Sequence, residues 1–158
     1  MTDAVTVNDQ KLQQLFARLI EVGTNPSTYL GAIGQAVAEQ TRLRFVDGRG
    51  PDGASWKPVL RGGAPLRDTG THLMNRITSV VQGNSVTIGV PFAWARVHQL
   101  GATIHAKSSP WLAFKIGQRW SKKKSVTIPA RPMFGINASD RAELADILRA
   151  TISQGAGA

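Results

Sequence analysis

A tract crowded with glycine and proline divides this sequence into parts with different hydrophobic periodicity. Between Val46 and Leu66 the chain reads VDGRGPDGASWKPVLRGGAPL, without a sustained helical or strand period, which is typical of an irregular loop. Apolar residues recur at spacings of three and four before the tract, whereas short runs rich in β-branched residues follow it. We therefore expect an α+β fold.

Helices are predicted at both ends of the chain. Two amphipathic helices precede the tract, and the second begins near Asn25 and Pro26 and runs through Phe45. Gly31 and Gly34 weaken this helix, so we expect them to mark a close contact of the helix, in a helical hairpin or along a sheet. A terminal helix is predicted to begin with a capping box formed by Asp140 and Glu143.

Strands are predicted in the middle of the chain. Thr78–Gln82 and Ser85–Val90 have β-branched content and are separated by Gly83 and Asn84, a two-residue turn that favours a hairpin. The segment Pro110–Lys124 shows no pattern that assigns its structure. The other predicted elements are short, with helices over 68–77 and 91–101 and strands over 103–107 and 125–128. The expected fold is a small, mostly antiparallel sheet with N-terminal helices, short intervening helices and a C-terminal helix.

The length and composition fit a single domain over 1–158. Residues 108–124 form a basic insertion in it, and 153–158 are expected to be a flexible tail. The sequence contains no cysteine, which removes thiol chemistry and cysteine-ligated metals. It also shows no signal peptide and no apolar run near the ~20 residues that cross a bilayer, so no membrane contact is expected.

The net charge of +9 lies entirely in the middle of the chain. Thr69–Ser139 contains nine Lys or Arg and no Asp or Glu. A stretch without carboxylates cannot neutralise itself locally, so it should present a positive field to DNA or to an acidic partner. The basic residues expected to face that partner are Lys107, Lys115, Arg119, Lys122, Lys123 and Lys124.

Aromatic residues are interleaved with these cations at Trp111, Phe114 and Trp120. Cationic side chains beside flat rings can pair with phosphates while the rings stack on bases. The alternative is a solvated, flexible loop whose aromatic residues anchor it to the core.

Catalytic and metal-binding patterns are weak throughout the sequence. Its three histidines are His72, His98 and His105, and no HExxH, DxD or paired-carboxylate spacing accompanies them. We expect His98 to be a half-buried helix residue hydrogen-bonded to the backbone, and His105 to be an exposed strand residue. No catalytic residue, cofactor site or metal site is predicted.

Four motifs follow one another along the chain. They are FVDGRGPDGASWKPV (Phe45–Val59), LRDTGTHLMNRI (Leu66–Ile77), VTIGVPFAWARVHQLGA (Val86–Ala102) and IPARPMFGI (Ile128–Ile136). In this order they resemble the virion morphogenesis or tail-completion family of Mu-like, contractile-tailed phages and prophages. The resemblance assigns motif residues to a glycine-tryptophan loop (Gly53, Trp56), a helix-opening turn (Asp68, Thr69, Gly70), a helix-end motif (His98, Gln99, Gly101) and an arginine-proline-aromatic strand (Arg131, Pro132, Phe134).

The resemblance implies a non-enzymatic structural protein at the head-tail junction or the tail end, acting in tail completion, as a terminator or in the neck. It implies a homo-oligomeric ring, for which we expect a hexamer. The other expected partners are the tail tube or sheath, neck or connector proteins, and genomic DNA that passes non-specifically. The expected location is the virion, with assembly in the host cytoplasm.

The predicted subunit-interface residues are Trp56, Trp111, Trp120 and Arg131. Arg131 is expected to pair with a carboxylate through two hydrogen bonds, with a neighbouring subunit as one source of that carboxylate, or else to be a surface arginine on an edge strand. From the residues alone a second function stays open, a non-specific nucleic-acid-binding module that uses residues 115–124.

Overall fold

The computed structural model describes residues 13–14, 17, 20–21, 23, 25–67 and 73–154. Its long helices are α1 (Ser27–Asp47) and α3 (Ala138–Gln154), with a short helix α2 (Ala95–Leu100) and a 3-10 turn at Met74–Arg76. The strands of this described part are β1 (Thr78–Gln82), β2 (Ser85–Gly89), β3 (Ala102–His105), β4 (Leu112–Ile116), β5 (Arg119–Lys123) and β6 (Ser125–Ile128). They form three antiparallel pairs, β1 with β2, β3 with β6 and β4 with β5. The predicted α+β fold is confirmed.

Helix α1 follows the boundaries that its sequence predicts. Pro26 precedes it with a φ of −65°, and Gly48 ends it in the left-handed conformation, where its N–H donates to the carbonyl of Arg44 at 2.8 Å. Its buried positions recur every three or four residues and form one face, with Leu30, Ala38, Thr41 and Phe45. The described residues between 13 and 23 are helical, but most of the predicted first helix lies outside the described residues.

A close contact of α1 is made at Gly34. A Cβ atom on Gly34 would lie 2.7 Å from Cγ2 of Val86 and 2.9 Å from Cβ of Ser79. Among the described residues, no atom lies within 4 Å of such a Cβ on Gly31. Gly34 therefore lets the β1–β2 hairpin approach the helix backbone, whereas the contact expected at Gly31 is not seen in the described part.

The β1–β2 hairpin confirms the strongest strand prediction. Its register runs from Thr78 opposite Gly89 to Gln82 opposite Ser85, which leaves Gly83 and Asn84 as the turn. Gly83 has a φ of +55°, a conformation that glycine adopts without steric cost.

The cap of helix α3 lies three residues before the predicted capping position. The backbone N–H of Asn137 donates to Oδ2 of Asp140, and the backbone N–H of Asp140 donates to Oδ1 of Asn137, both at 2.8 Å. This reciprocal pair makes Asn137 the cap and Asp140 its third helical residue. The predicted box of Asp140 with Glu143 was therefore displaced by one turn. The helix continues to Gln154, so 153–154 of the predicted tail are helical and 155–158 lie outside the described residues.

The shorter elements differ from their predicted boundaries by a few residues. Helix α2 begins at Ala95 instead of Pro91 and ends at Gly101, as expected. Strand β3 covers Ala102–His105 and pairs with β6 over Ser125–Ile128. The helix predicted over 68–77 contributes only the 3-10 turn, and 68–72 lie outside the described residues.

The unassigned segment Pro110–Lys124 folds as the hairpin β4–β5, which we call the basic hairpin. Gly117, with a φ of +58°, and Gln118 connect the two strands. Leu112 lies opposite Lys123 at its base, and Ile116 lies opposite Arg119 beside the turn.

Candidate interaction surfaces

The family motifs meet at one extended stretch, Ala130–Gly135, which we call the junction segment. Trp56 from the glycine-tryptophan loop is 6% exposed, and its Nε1 donates to the carbonyl of Pro132 at 2.9 Å. Its ring packs edge-on against Phe45 of α1, with ring centroids 5.3 Å apart. Trp56 therefore fastens its loop to the core of its own subunit, and its assignment to a subunit interface was wrong.

Gln99 of α2 holds the middle of the junction segment. Its Oε1 accepts hydrogen bonds from the backbone N–H groups of Met133 at 2.7 Å and Phe134 at 3.1 Å. Its Nε2 donates to the carbonyl of Phe134 at 3.0 Å. The side-chain amide thus replaces the neighbouring strand that would otherwise satisfy these backbone groups.

Arg131 is 4% exposed and lies beneath the glycine-rich loop. Its Nε donates to the carbonyl of Lys57 at 2.7 Å, and one terminal nitrogen donates to the carbonyl of Pro58 at 2.8 Å. Burial lowers the pKa of this guanidinium from its ordinary value. At 4% exposure Arg131 is not a surface arginine on an edge strand, so that alternative was wrong. Its partners among the described residues are carbonyls of its own chain, and a carboxylate partner on a neighbouring subunit stays a prediction.

A buried ion pair closes the other end of the junction segment. Arg44 of α1 donates from one terminal nitrogen to the carbonyls of Gly135 at 2.8 Å and Met133 at 3.2 Å, and from the other to the carboxylate of Asp140. Both side chains are buried. The sequence analysis did not predict the role of Arg44. The three-residue spacing of Asn137 and Asp140 was a signal for the helix cap, and this cap positions Asp140, the partner of Arg44.

Glycines complete the junction where backbones approach closely. Gly101 has a φ of +74°, and a Cβ atom there would lie 2.8 Å from the backbone nitrogen of Ala130. Gly53 turns its loop with a φ of +77°. The remaining motif residues, Asp68, Thr69 and Gly70, lie outside the described residues. Among the described motif residues, Trp56, Gln99 and Arg131 therefore direct their polar side-chain groups at backbone carbonyls and amides.

His98 is half-buried on α2, as expected, but within the described part of the chain its side chain makes no hydrogen bond with the backbone. Nδ1 is buried without a hydrogen-bond partner among the described residues, and the ring lies edge-on to Trp94 at 5.9 Å. Burial and, to a lesser degree, the charge of Arg131 lower the pKa of His98 from its ordinary value. His105 is exposed on β3, and His72 lies outside the described residues. Within the described ranges no three His, Asp or Glu residues come together in a group that could hold a metal ion.

The basic hairpin has two faces with different compositions. Directly paired residues of antiparallel strands share a face, and faces alternate along each strand. The inner face carries Leu112, Phe114, Ile116, Arg119, Ser121 and Lys123, and the outer face carries Trp111, Ala113, Lys115, Trp120, Lys122 and Lys124. The predicted basic residues are therefore divided between the faces, and Lys107 lies outside the hairpin, exposed after β3.

The inner face anchors the hairpin to the rest of the fold. Leu112 and Phe114 line a cavity of about 340 Å³ together with Ile104 of β3 and Val126 and Ile128 of β6. The segment is thus an ordered ribbon attached by aliphatic residues and Phe114. Of the aromatic residues expected to anchor a loop to the core, Phe114 does so, whereas Trp111 and Trp120 lie on the outer face of a hairpin.

The outer face presents both tryptophans to solvent. Trp120 is 71% exposed and Trp111 is 46% exposed. The ammonium group of Lys115 lies 5.9 Å from the centre of the Trp120 ring, and that of Lys124 lies 5.7 Å from the Trp111 ring. Each tryptophan is therefore held against a lysine of the opposite strand by a cation–π contact.

Two further apolar surfaces lie away from the hairpin. Leu43 and Val46 are exposed on the side of α1 opposite its buried face, and we call this pair the α1 stripe. Beside α2 is an open pocket of about 420 Å³, which we call the α2 pocket, lined among others by Val90, Phe92, Leu100 and Phe134. Exposed apolar groups of this kind are typical of surfaces that other proteins cover.

Comparison with known proteins identifies the family. The model of the phage virion morphogenesis family matches residues 7–153. The chain belongs to this family. It is also 27% identical over 138 residues to the Mu-like prophage FluMu G protein 2 of Haemophilus influenzae, covering 87% of this chain and 86% of that protein. No solved structure matches it significantly.

Membership of the phage virion morphogenesis family confirms the resemblance and indicates a structural role in the assembly of phage particles. In this member of the family, the described signature residues build the junction segment. Helices of the described part are too short or too polar to span a membrane.

Proposed function

We propose that this chain is a non-enzymatic structural protein at the head-tail junction or the tail end of a tailed phage. It acts as a tail-completion, terminator or neck protein and closes into a ring of identical subunits, a hexamer, around the DNA conduit. Family membership supports a role in virion assembly. The use of the described motif residues for backbone support is consistent with a protein that performs no chemistry.

The proposed ring is supported by two different apolar surfaces on one subunit. A closed ring needs heterologous contacts, in which one patch meets a different patch on the next copy. The α1 stripe is a convex pair of aliphatic side chains, Leu43 and Val46, whereas the α2 pocket is concave and apolar. Their shapes and chemistry complement each other, so the α1 stripe of one copy fills the α2 pocket of the next.

The basic hairpin supplies the third surface that such a ring needs. A ring around the genome requires a sequence-independent surface toward DNA or toward neighbouring virion proteins. The hairpin extends from the β3–β6 pair, and its outer face is free of carboxylates. Because the hairpin lies outside the junction segment, substitutions on its outer face should leave the core unchanged.

The test uses two variants that each damage one side of the contact. Leu43→Arg disables the α1 stripe and Leu100→Arg disables the α2 pocket, and both residues are exposed, so the fold should survive. Light scattering after size-exclusion chromatography should show a ring for the wild type, alone or with tail tubes, and a monomer for each variant. An equimolar mixture of the two should form dimers and no rings, because each pair of variants retains only one intact contact.

Leu60→Arg is the matched control, since Leu60 is more exposed than Leu43 and Leu100 and lies outside both surfaces. This variant should assemble like the wild type. Rings that persist in both Leu43→Arg and Leu100→Arg would contradict the proposed contact. A wild-type chain that stays monomeric with tail tubes, is absent from particles and binds DNA would instead support a nucleic-acid-binding module.

A further inference from the structure

We propose that the outer face of the basic hairpin binds the phosphate backbone of nucleic acid without reading its sequence. The inference deepens the proposed function and rests on it for the source of the ligand, the genome that passes through the ring. The binding itself requires only the hairpin, so it can be measured on the free protein.

The arrangement of positive charge on this face fits a nucleic-acid strand. Lys122 and Lys115 occupy successive levels of the ribbon, since Lys122 lies opposite Ala113 and Lys115 lies opposite Trp120. Lys124 follows directly after β5, with its ammonium group 5.7 Å from the centre of the Trp111 ring. Neighbouring levels on one face are two residues apart, or about 6.8 Å. That step equals the axial rise of two nucleotides in one strand of duplex DNA, about 3.4 Å each. The three ammonium groups can therefore follow one phosphate backbone.

The tryptophans order two of these lysines in advance. Lys115 lies over Trp120 and Lys124 lies over Trp111, so both side chains lose part of their freedom before a ligand arrives. This lowers the entropy cost of binding. The exposed rings extend the surface beside the cations and can pack against sugars or unstacked bases.

The composition of the outer face favours contacts with phosphates over the reading of bases. Among the side chains that read base edges, Arg, Asn and Gln present paired polar groups in one plane, whereas Lys contacts guanine without that fixed geometry. The outer face offers only Lys, Trp and Ala, and the ammonium groups of lysine act as point charges. Binding to phosphates alone is therefore expected.

A nucleic acid fits this face better than an acidic protein does. Protein interfaces are enriched in aromatic residues and arginine but depleted in lysine. Here half of the six outer-face residues are lysines, and the only arginine of the hairpin, Arg119, lies on the inner face. The absence of Asp and Glu from Thr69 to Ser139 leaves nothing nearby in sequence to repel phosphates.

The hairpin contains its own matched control, because cations lie on both faces. The outer pair Lys122→Ala, Lys124→Ala and the inner pair Arg119→Ala, Lys123→Ala remove the same net charge from the same ribbon. Fluorescence anisotropy with two duplexes of unrelated sequence, between 50 and 200 mM salt, gives the slope of log K against log salt concentration. Circular dichroism checks that both double variants are folded.

The outer pair should reduce the magnitude of the slope by about 1.8 for every copy on the DNA, since each phosphate contact contributes about 0.9. The inner pair should change it far less, and the two duplexes should bind equally. An equal effect of both pairs, or no effect of the outer pair, would overturn the proposal. So would unchanged DNA affinity in an outer-pair variant that no longer binds virion proteins, which would identify an acidic protein as the partner. None of these outcomes depends on whether the chain forms a ring.

Discussion

Cationic and aromatic side chains occur both around the junction segment and on the basic hairpin. Around the junction segment they point into the fold, whereas on the outer face of the hairpin they are exposed. At the junction, Arg131, Arg44 and Trp56 donate to backbone carbonyls inside the fold. On the hairpin, Lys115 and Lys124 lie over exposed tryptophans, and no carboxylate of the described residues forms a salt bridge with them. Cationic and aromatic residues thus support the backbone in one region and form an exposed surface in the other. We call the buried support of the junction segment by Arg44, Trp56, Gln99, Arg131 and Asp140 the frame.

The difference follows from the geometry that each task requires. A rigid guanidinium presents several donors in a fixed plane and can hold two carbonyls at once, which suits a buried support. A lysine offers one mobile charge, which suits a ligand of repeating phosphates. The family motifs therefore support the architecture, whereas under our proposal the partner is bound by exposed residues outside the described motif positions.

The largest loss of stability is expected at the buried ion pair of the frame. Asp140→Ala leaves the Arg44 guanidinium buried without its carboxylate and also removes the cap interaction with Asn137. We expect the free energy of unfolding to fall by about 3–5 kcal/mol, measured by denaturant titration. Arg44→Met combined with Asp140→Ala should recover part of this loss, because no charge is then left unpaired. A loss below 1 kcal/mol for Asp140→Ala, on the scale of about 0–1 kcal/mol for exposed pairs, would contradict this assignment.

A smaller loss is expected at the amide that supports the middle of the frame. Gln99→Leu leaves the N–H groups of Met133 and Phe134 without acceptors. The expected fall in the free energy of unfolding is about 2–3 kcal/mol. The same substitution at exposed Gln118, in the hairpin turn, is the control and should change stability by less than about 0.5 kcal/mol. Equal effects at the two positions would show that Gln99 does not support the junction.

A still smaller effect is expected from acid. Because the pKa of His98 lies below its ordinary value of 6.5, the unfolded chain takes up a proton at a pH where the folded chain does not. The free energy of unfolding should therefore decrease as the pH falls below about 6.5. His98→Gln should flatten this part of the stability curve, whereas His105→Gln on exposed β3 should not. A curve unchanged by His98→Gln would contradict the assignment.

The sequence predicted the elements that are defined by local signals. Helix α1 followed from Pro26 and the apolar spacing, and the β1–β2 hairpin followed from its glycine turn. The alternation of Leu112, Phe114 and Ile116 also favours a strand, but the lysines of β5 and the weak Gly117–Gln118 turn obscured the pairing. The cross-strand contacts of Lys with Trp only exist once the strands are paired.

The sequence could not predict the roles of residues whose partners are distant in the chain. Arg131 and Trp56 are polar or amphipathic in composition, which suggested an interface. Their acceptors are single backbone carbonyls, 73 to 76 residues away, and backbone groups leave no signature in a sequence. The charge excess was visible, but its division between two hairpin faces depended on the register of β4 and β5.

Reversing charges on the basic hairpin should change stability least and function most. This combination is the most direct test of the division between the buried supports of the junction segment and the exposed hairpin surface. Lys122→Glu, Lys123→Glu and Lys124→Glu reverse three exposed charges of the basic hairpin. The measurement is the yield of infectious particles when the triple variant replaces the wild-type chain, with the free energy of unfolding followed alongside. We predict a folded protein, changed by about 0.5 kcal/mol or less per substitution, and a severe loss of infectious particles. A normal yield of infectious particles from the folded triple variant would contradict the account.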